Sequence, residues 1–208
     1  LRDGGRLLFG GAGTSGRLGV IEAAECPPTV NTPPAMVQAV MAGGRGAVVR
    51  SREGAEDDRP RGRREMARRV RAGDVVVGIA ASGVTPFVES ALQAARAKGA
   101  SSVLVTCSSR RRIRSAVDVM IAVPVGPELI AGSTRLKAGT ATKLVLNMLT
   151  VAAMVRLGKV YGHRMVKVRP TSRKLRARAA QLVVELGGVS PARARELLRR
   201  TRGDTKAA

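Results

Sequence analysis

Short runs of Val, Leu and Ile recur along the first 125 residues, and most of them end in a glycine- or hydroxyl-rich loop that opens a helical pattern. The runs are Arg6 to Phe9, Gln38 to Ala42, Asp74 to Ala80, Ser102 to Cys107 and Val117 to Val123. They are continuously apolar rather than alternating, which is the pattern of strands covered on both faces. Parallel strands need crossover helices, so the repeat predicts an α/β fold: a three-layer sandwich around a mostly parallel five-stranded sheet. Ligands of such sheets sit beyond the carboxyl ends of the strands. The core must be largely aliphatic, because the chain has no Trp, one Tyr and two Phe.

The loops set the expected helices. Gly10 to Gly16 follows the first run and starts a helix that Pro27 and Pro28 are expected to end, since proline supplies no amide donor. The acidic stretch Ser51 to Asp58 leads into an Arg-rich helix reaching about Val70. Pro86 suits a first turn, with the helix continuing through Phe87 to Lys98. An apolar helical pattern then runs through Leu144, Leu146, Met148, Val151, Met154 and Leu157, a packing or dimerisation helix. Ser172 to Leu186 and Ser190 to Arg200 form two terminal helices, Ser190 and Pro191 serving as cap and first turn. Residues 203–208 are expected to fray. Residues 1–168 read as one domain and 169–208 as a helical appendage, and the abrupt start at Leu1 suggests further N-terminal chain.

Several function classes recede. A dinucleotide fold would want an acidic residue after the second strand, and none stands near Val37 to Ala42. A P-loop would want Lys-Ser or Lys-Thr after the first glycines. The charge of +22 calls for an anionic partner. Arginines are scattered along the chain and aromatic stacking platforms are nearly absent, which speaks against specific nucleic-acid binding and leaves an anionic surface or a phosphorylated metabolite. Cys26, Cys107 and the single His163 make neither a disulfide framework nor a metal site, so no metal or other cofactor is expected. No membrane-spanning stretch or signal segment is evident, and a cytoplasmic location is the expectation.

Five strings then align with one family: Gly11-Ala-Gly-Thr-Ser-Gly-Arg-Leu-Gly19, Glu25-Cys-Pro-Pro28, Glu53-Gly-Ala-Glu-Asp57, Val77-Gly-Ile-Ala-Ala-Ser-Gly83 and Gly132-Ser-Thr-Arg-Leu-Lys-Ala-Gly-Thr140, with Lys143-Leu-Val-Leu-Asn147 beside them. From about Arg6 to Leu175 the chain resembles the N-acetylmuramic acid 6-phosphate etherases of the sugar-isomerase-domain group. The resemblance implies a sugar-isomerase-type sheet and cleavage of the D-lactyl ether at C3, giving N-acetylglucosamine 6-phosphate and D-lactate. It implies Glu25 as acid and Glu56 as base, and a homodimer.

Two carboxyl groups suit that chemistry. An acid protonates the departing oxygen, while a base removes the C2 proton once ring opening has placed an aldehyde at C1. The two groups must start in different protonation states, which demands unlike surroundings. Outside that scheme, Glu25 could be a helix-end residue and Glu56 a helix cap. The hydroxyls of Ser15, Ser82, Ser133 and Thr134, with Thr14 and Thr85 behind them, would hold the phosphate without a metal. Arg135 and Lys137 would attract it or form surface ion pairs. The chain departs from the family pattern at Val84, where arginine is usual, and at Ser108-Ser109, where Asn-Pro is usual. The resemblance also implies an N-terminal helical extension and a longer C-terminal tail. Competing readings are a non-catalytic phosphosugar sensor and an aldose-ketose phosphosugar isomerase.

Overall fold

The computed structural model describes residues 1–109, 116–167, 170 and 172–208, which leaves most of the Ser108 to Arg114 basic stretch outside the described residues. Five strands, β1 (Leu7–Gly11), β2 (Val37–Met41), β3 (Val75–Ile79), β4 (Ser101–Thr106) and β5 (Val119–Ala122), form one sheet in the order β2-β1-β3-β4-β5. Every neighbouring pair is parallel, with Leu7 set against both Val37 and Val75. The expected sheet is therefore present, and it is wholly parallel. All five residues of β1 are buried, as a strand covered on both faces requires.

The helices are α1 (Gly13–Val30), α2 (Gly46–Val49), α3 (Arg59–Ala67), α4 (Pro86–Ala97), α5 (Lys137–Arg156), α6 (Arg173–Gly187) and α7 (Pro191–Arg200). The chain divides into two compact units, one of residues 1–24 and 34–150, the other of residues 25–33 and 151–208.

In the first unit, Leu8, Met66, Val76, Phe87, Val88, Leu92 and Leu104 form a core sealed from solvent. Arg-rich α3 contributes to it through Gly62 and Met66. A Cβ at Gly62 would lie 2.4 Å from the Phe87 carbonyl oxygen and 2.5 Å from Ser90 Oγ, so only glycine lets α3 approach α4 this closely. Helix α5 is long and apolar enough, by composition alone, to cross a membrane. Within the first unit it buries Ala138, Thr142, Val145, Leu146 and Thr150, while Leu144 and Met148 stay exposed.

In the second unit, α7 carries the Ser190 cap that sequence suggested, and Ser172 caps α6 in the same way. Ser172 Oγ accepts from Leu175 N at 3.2 Å, and Ser190 Oγ accepts from Arg193 N at 3.3 Å. Lys159 Nζ donates to the carbonyls of Val30 and Asn31, both at 3.2 Å, closing the C-terminus of α1. Burial, and then the charge of Lys167, pulls the Lys159 pKa down.

Two expectations fail. Helix α1 does not stop near Glu25 to Pro28; it runs through both prolines to Val30. The prolines occupy its last turn, where their missing N–H groups remove only two ladder bonds, and Asn31 N still closes on the Pro27 carbonyl at 3.0 Å. Nor do residues 203–208 fray. Asp204 pairs with Lys167 Nζ at 2.5 Å and accepts from the backbone N–H groups of Lys206 and Ala207.

Candidate active site

Three loops of the first unit gather hydroxyls at the carboxyl ends of the strands. After β1 the chain turns straight into α1, and a Cβ at Gly16 would meet Met41 Sδ at 2.4 Å and the Gly11 carbonyl oxygen at 2.5 Å. That close fit places half-buried Thr14 and Ser15 on the first turn of α1, where backbone N–H groups have no intrahelical acceptor.

After β3, Ala81 anchors the second loop: its carbonyl accepts from Thr106 Oγ1 at 3.2 Å and Cys107 N at 3.0 Å. Ser82 is exposed, and Thr85 caps α4 in extended conformation without using its hydroxyl on the helix.

The third loop is closed by a residue the sequence reading did not single out. Glu128 accepts from Lys137 N at 2.8 Å through one carboxylate oxygen and from Ala138 N at 2.9 Å through the other, satisfying the first turn of α5. The loop so closed presents half-buried Ser133 and exposed Thr134 and Arg135. Among the described residues, neither Arg135 nor Lys137 has an ion-pair partner, so the alternative of surface ion pairs finds no support. The first and third loops are neighbours: a Cβ at Gly139 would lie 3.5 Å from Thr14 Cγ2. The end of β4 joins them, with Cys107 Sγ 3.5 Å from the Ala138 carbonyl oxygen and 3.6 Å from Thr142 Oγ1.

Glu56 belongs to the segment between α2 and α3. Its carbonyl accepts from Phe87 N at 2.9 Å, tying it to the first turn of α4, and Asp58 Oδ1 caps α3 by accepting from Arg61 N at 2.9 Å. The helix-capping role considered for Glu56 thus falls to Asp58. A cavity of about 110 Å³ is lined by Gly13, Arg17, Arg52, Glu53 and Glu56 among others, so the exposed Glu56 shares a cavity with the first loop. Glu25 is exposed on α1 and belongs to the second unit, with Cys26 buried beside it. Exposed Val84 stands in the second loop.

A buried carboxylate also escaped the sequence reading. Glu22 is 8% exposed and accepts from Asn147 Nδ2 at 2.6 Å and from Thr150 Oγ1, joining α1 to α5. Its only sequence signal is its spacing, one turn from both Leu18 and the buried Cys26. His163 is exposed in a short turn bridged between Tyr161 and Arg164. Among the described residues, no cluster of three His, Cys, Asp or Glu side chains could hold a metal ion.

Comparison with known proteins adds to this geometry. The family described as the glucokinase regulatory protein N-terminal SIS domain matches residues 1–96, and the SIS domain family matches residues 59–152. An N-acetylmuramic acid 6-phosphate etherase of Symbiobacterium thermophilum is 54% identical over 208 residues, covering 100% of this chain and 69% of its own length. Another, from Rhodopirellula baltica, is 51% identical with the same coverage. Among solved structures, the phosphoheptose isomerase of Neisseria gonorrhoeae superimposes with a TM-score of 0.50 at 21% identity, over 77% of this chain and 79% of that one. That last likeness concerns the fold.

Proposed function

Because the chain belongs to the N-acetylmuramic acid 6-phosphate etherase family, we propose that Glu56 is the base and Glu25 the acid of its reaction. The protein is a carbon–oxygen lyase: it cleaves the D-lactyl ether of N-acetylmuramic acid 6-phosphate and yields N-acetylglucosamine 6-phosphate and D-lactate. In the open-chain sugar, the carboxylate of Glu56 takes the C2 proton and the electron pair delocalises toward the C1 aldehyde. The C3–O bond then breaks, and Glu25 delivers a proton to the departing lactyl oxygen. Water adds at C3 of the unsaturated aldehyde, C2 is reprotonated and the product forms.

The observation that carries the assignment of Glu56 is its place on the cavity it shares with Gly13. Ser15, Ser82, Ser133 and Thr134, with Thr14 and Thr85, hold the 6-phosphate. Their support is convergence on the carboxyl ends of the strands, the side of a parallel sheet where ligands bind. Arg135 and Lys137 add positive charge there. Residues 1–168 serve as the phosphosugar-binding domain and residues 169–208 as its helical appendage, in keeping with family matches that together reach residue 152.

The enzyme works in the cytoplasm as a homodimer. Leu144 and Met148, one turn apart on α5, are 52% and 62% exposed, and a second copy of the chain would cover them. Sedimentation of L144D/M148D should then report monomer.

The deciding assay incubates the protein with N-acetylmuramic acid 6-phosphate and measures both products. Glu56→Gln should suppress deuterium exchange at C2, by about 10²- to 10⁴-fold, whereas Glu25→Gln should chiefly slow ether cleavage. Wild-type turnover in both variants would refute the two-glutamate scheme. Phosphosugar binding without either product would point instead to a sensor.

A further inference from the structure

Arg17 opens the second turn of α1, near the positive end of the helix dipole, where a cation gains nothing from the helix. Its guanidinium is directed elsewhere. Nε donates to the Val48 carbonyl at 2.8 Å and Nη2 to the Ala47 carbonyl at 2.9 Å, the carbonyl end of the short helix α2. Among the described residues no backbone N–H reaches either oxygen, so Arg17 supplies the capping donors that a four-residue helix lacks. Three residues after Val48 begins the exposed segment Ser51 to Asp57, which carries Glu56. That segment is held at its far end by the bond from Phe87 N to the Glu56 carbonyl, and at its near end by Arg17.

We propose that Arg17 is a positioning residue for Glu56. By holding α2 to the start of α1, it fixes the register of the segment that carries the base relative to the loop bearing Thr14 and Ser15. Both sides of the cavity are thereby joined through one side chain, since Arg17 lines it together with Gly13, Glu53 and Glu56. The guanidinium edge bound to protein carbonyls acts on the enzyme rather than on substrate. This inference rests on Glu56 being the base.

The test compares Arg17→Ala, Arg17→Lys and Glu56→Gln in the full chain, with C2 deuterium exchange, kcat and KM measured for each. A displacement of about 1 Å at a reacting group costs about 100-fold. Arg17→Ala should therefore slow exchange by about that factor with KM changed less than about threefold. Added methylguanidinium should restore at least a tenth of the lost rate, a recovery that general loss of folding would not show. Arg17→Lys, which can reach only one carbonyl well, should fall between, and it remains informative if the alanine variant does not fold. A loss confined to KM would show that Arg17 acts on substrate and overturn the proposal, as would wild-type exchange in Arg17→Lys and Arg17→Ala. Undiminished exchange in Glu56→Gln would instead remove the base assignment itself, whatever Arg17 does.

Discussion

At the amino end of the sheet in the first unit, Asp74 is sealed from solvent and accepts four hydrogen bonds, from Arg6 N, Nε and Nη2 and from Arg71 N. Arg6 also donates to the Arg69 carbonyl, and Ser102 and Asp118 close the neighbouring strands with three bonds of their own. At the carboxyl end, the hydroxyls of Ser15, Thr85, Ser133 and Thr134 have no protein partner among the described residues, and Ser82 Oγ accepts only a long 3.4 Å bond from Val84 N. One edge spends its polar groups on itself; the other keeps them available. A buried charge must be paired to persist, whereas a ligand site must hold back the donors and acceptors its ligand will use. The same sheet can therefore be anchored at one end and chemically receptive at the other.

Substitutions at the two edges should separate stability from binding. The largest effect is expected at the amino end. Asp74→Asn removes the carboxylate charge from a buried pair and should destabilise the fold by about 3 kcal/mol, read by urea unfolding, while kcat per folded molecule is unchanged. A loss of kcat without a shift in the unfolding midpoint would erase the distinction between the edges. At the carboxyl end, Ser82→Ala and Ser15→Ala should each raise KM by about tenfold, the worth of a hydrogen bond to a charged group, with little change in thermal midpoint. Unchanged KM in both would remove them from the phosphate site.

The smallest effect is the response to acid. Burial alone would raise the Asp74 pKa, but the hydrogen bonds from Arg6 and from the Arg71 and Arg6 backbone outweigh it and hold the carboxyl below its ordinary value. A depressed carboxylate stabilises the fold above the unfolded pKa, about 3.9, and that contribution disappears as pH falls through the lower folded value. The wild-type thermal midpoint should therefore drop on acidification below about pH 4. Asp74→Asn should lack that part of the slope; an identical slope in the variant would assign the acid response to other carboxylates.

What could be read in sequence was local. Continuous apolar runs gave the strands, because burial on both faces leaves a plain signature, and Ser172, Ser190 and Pro86 marked helix starts by their own chemistry. The loops bearing Ser15, Ser82, Ser133 and Glu56 were visible because glycines and hydroxyls punctuate them. The extent of α1 was misread because proline was weighed as a breaker without regard to its position in a last turn. Glu22, Glu128 and the grip of Arg17 on α2 were missed for a different reason. Their partners lie far along the chain or on a loop that folds back, and periodicity carries no record of such pairings. The ordered end at Asp204 likewise depends on Lys167, 37 residues earlier.

The carboxylate of Glu22 finds its partners, Asn147 and Thr150, 125 and 128 residues later in the chain. A ribosome adding roughly 5–20 residues per second leaves that group unmatched for roughly 6–25 seconds after it is made. Helix α1 can coil early, yet its seating against α5 must wait until most of the first unit has been synthesised. The loop bearing Thr14 and Ser15 thus leaves the ribosome well before α5 and acquires its final setting only after α5 has been made.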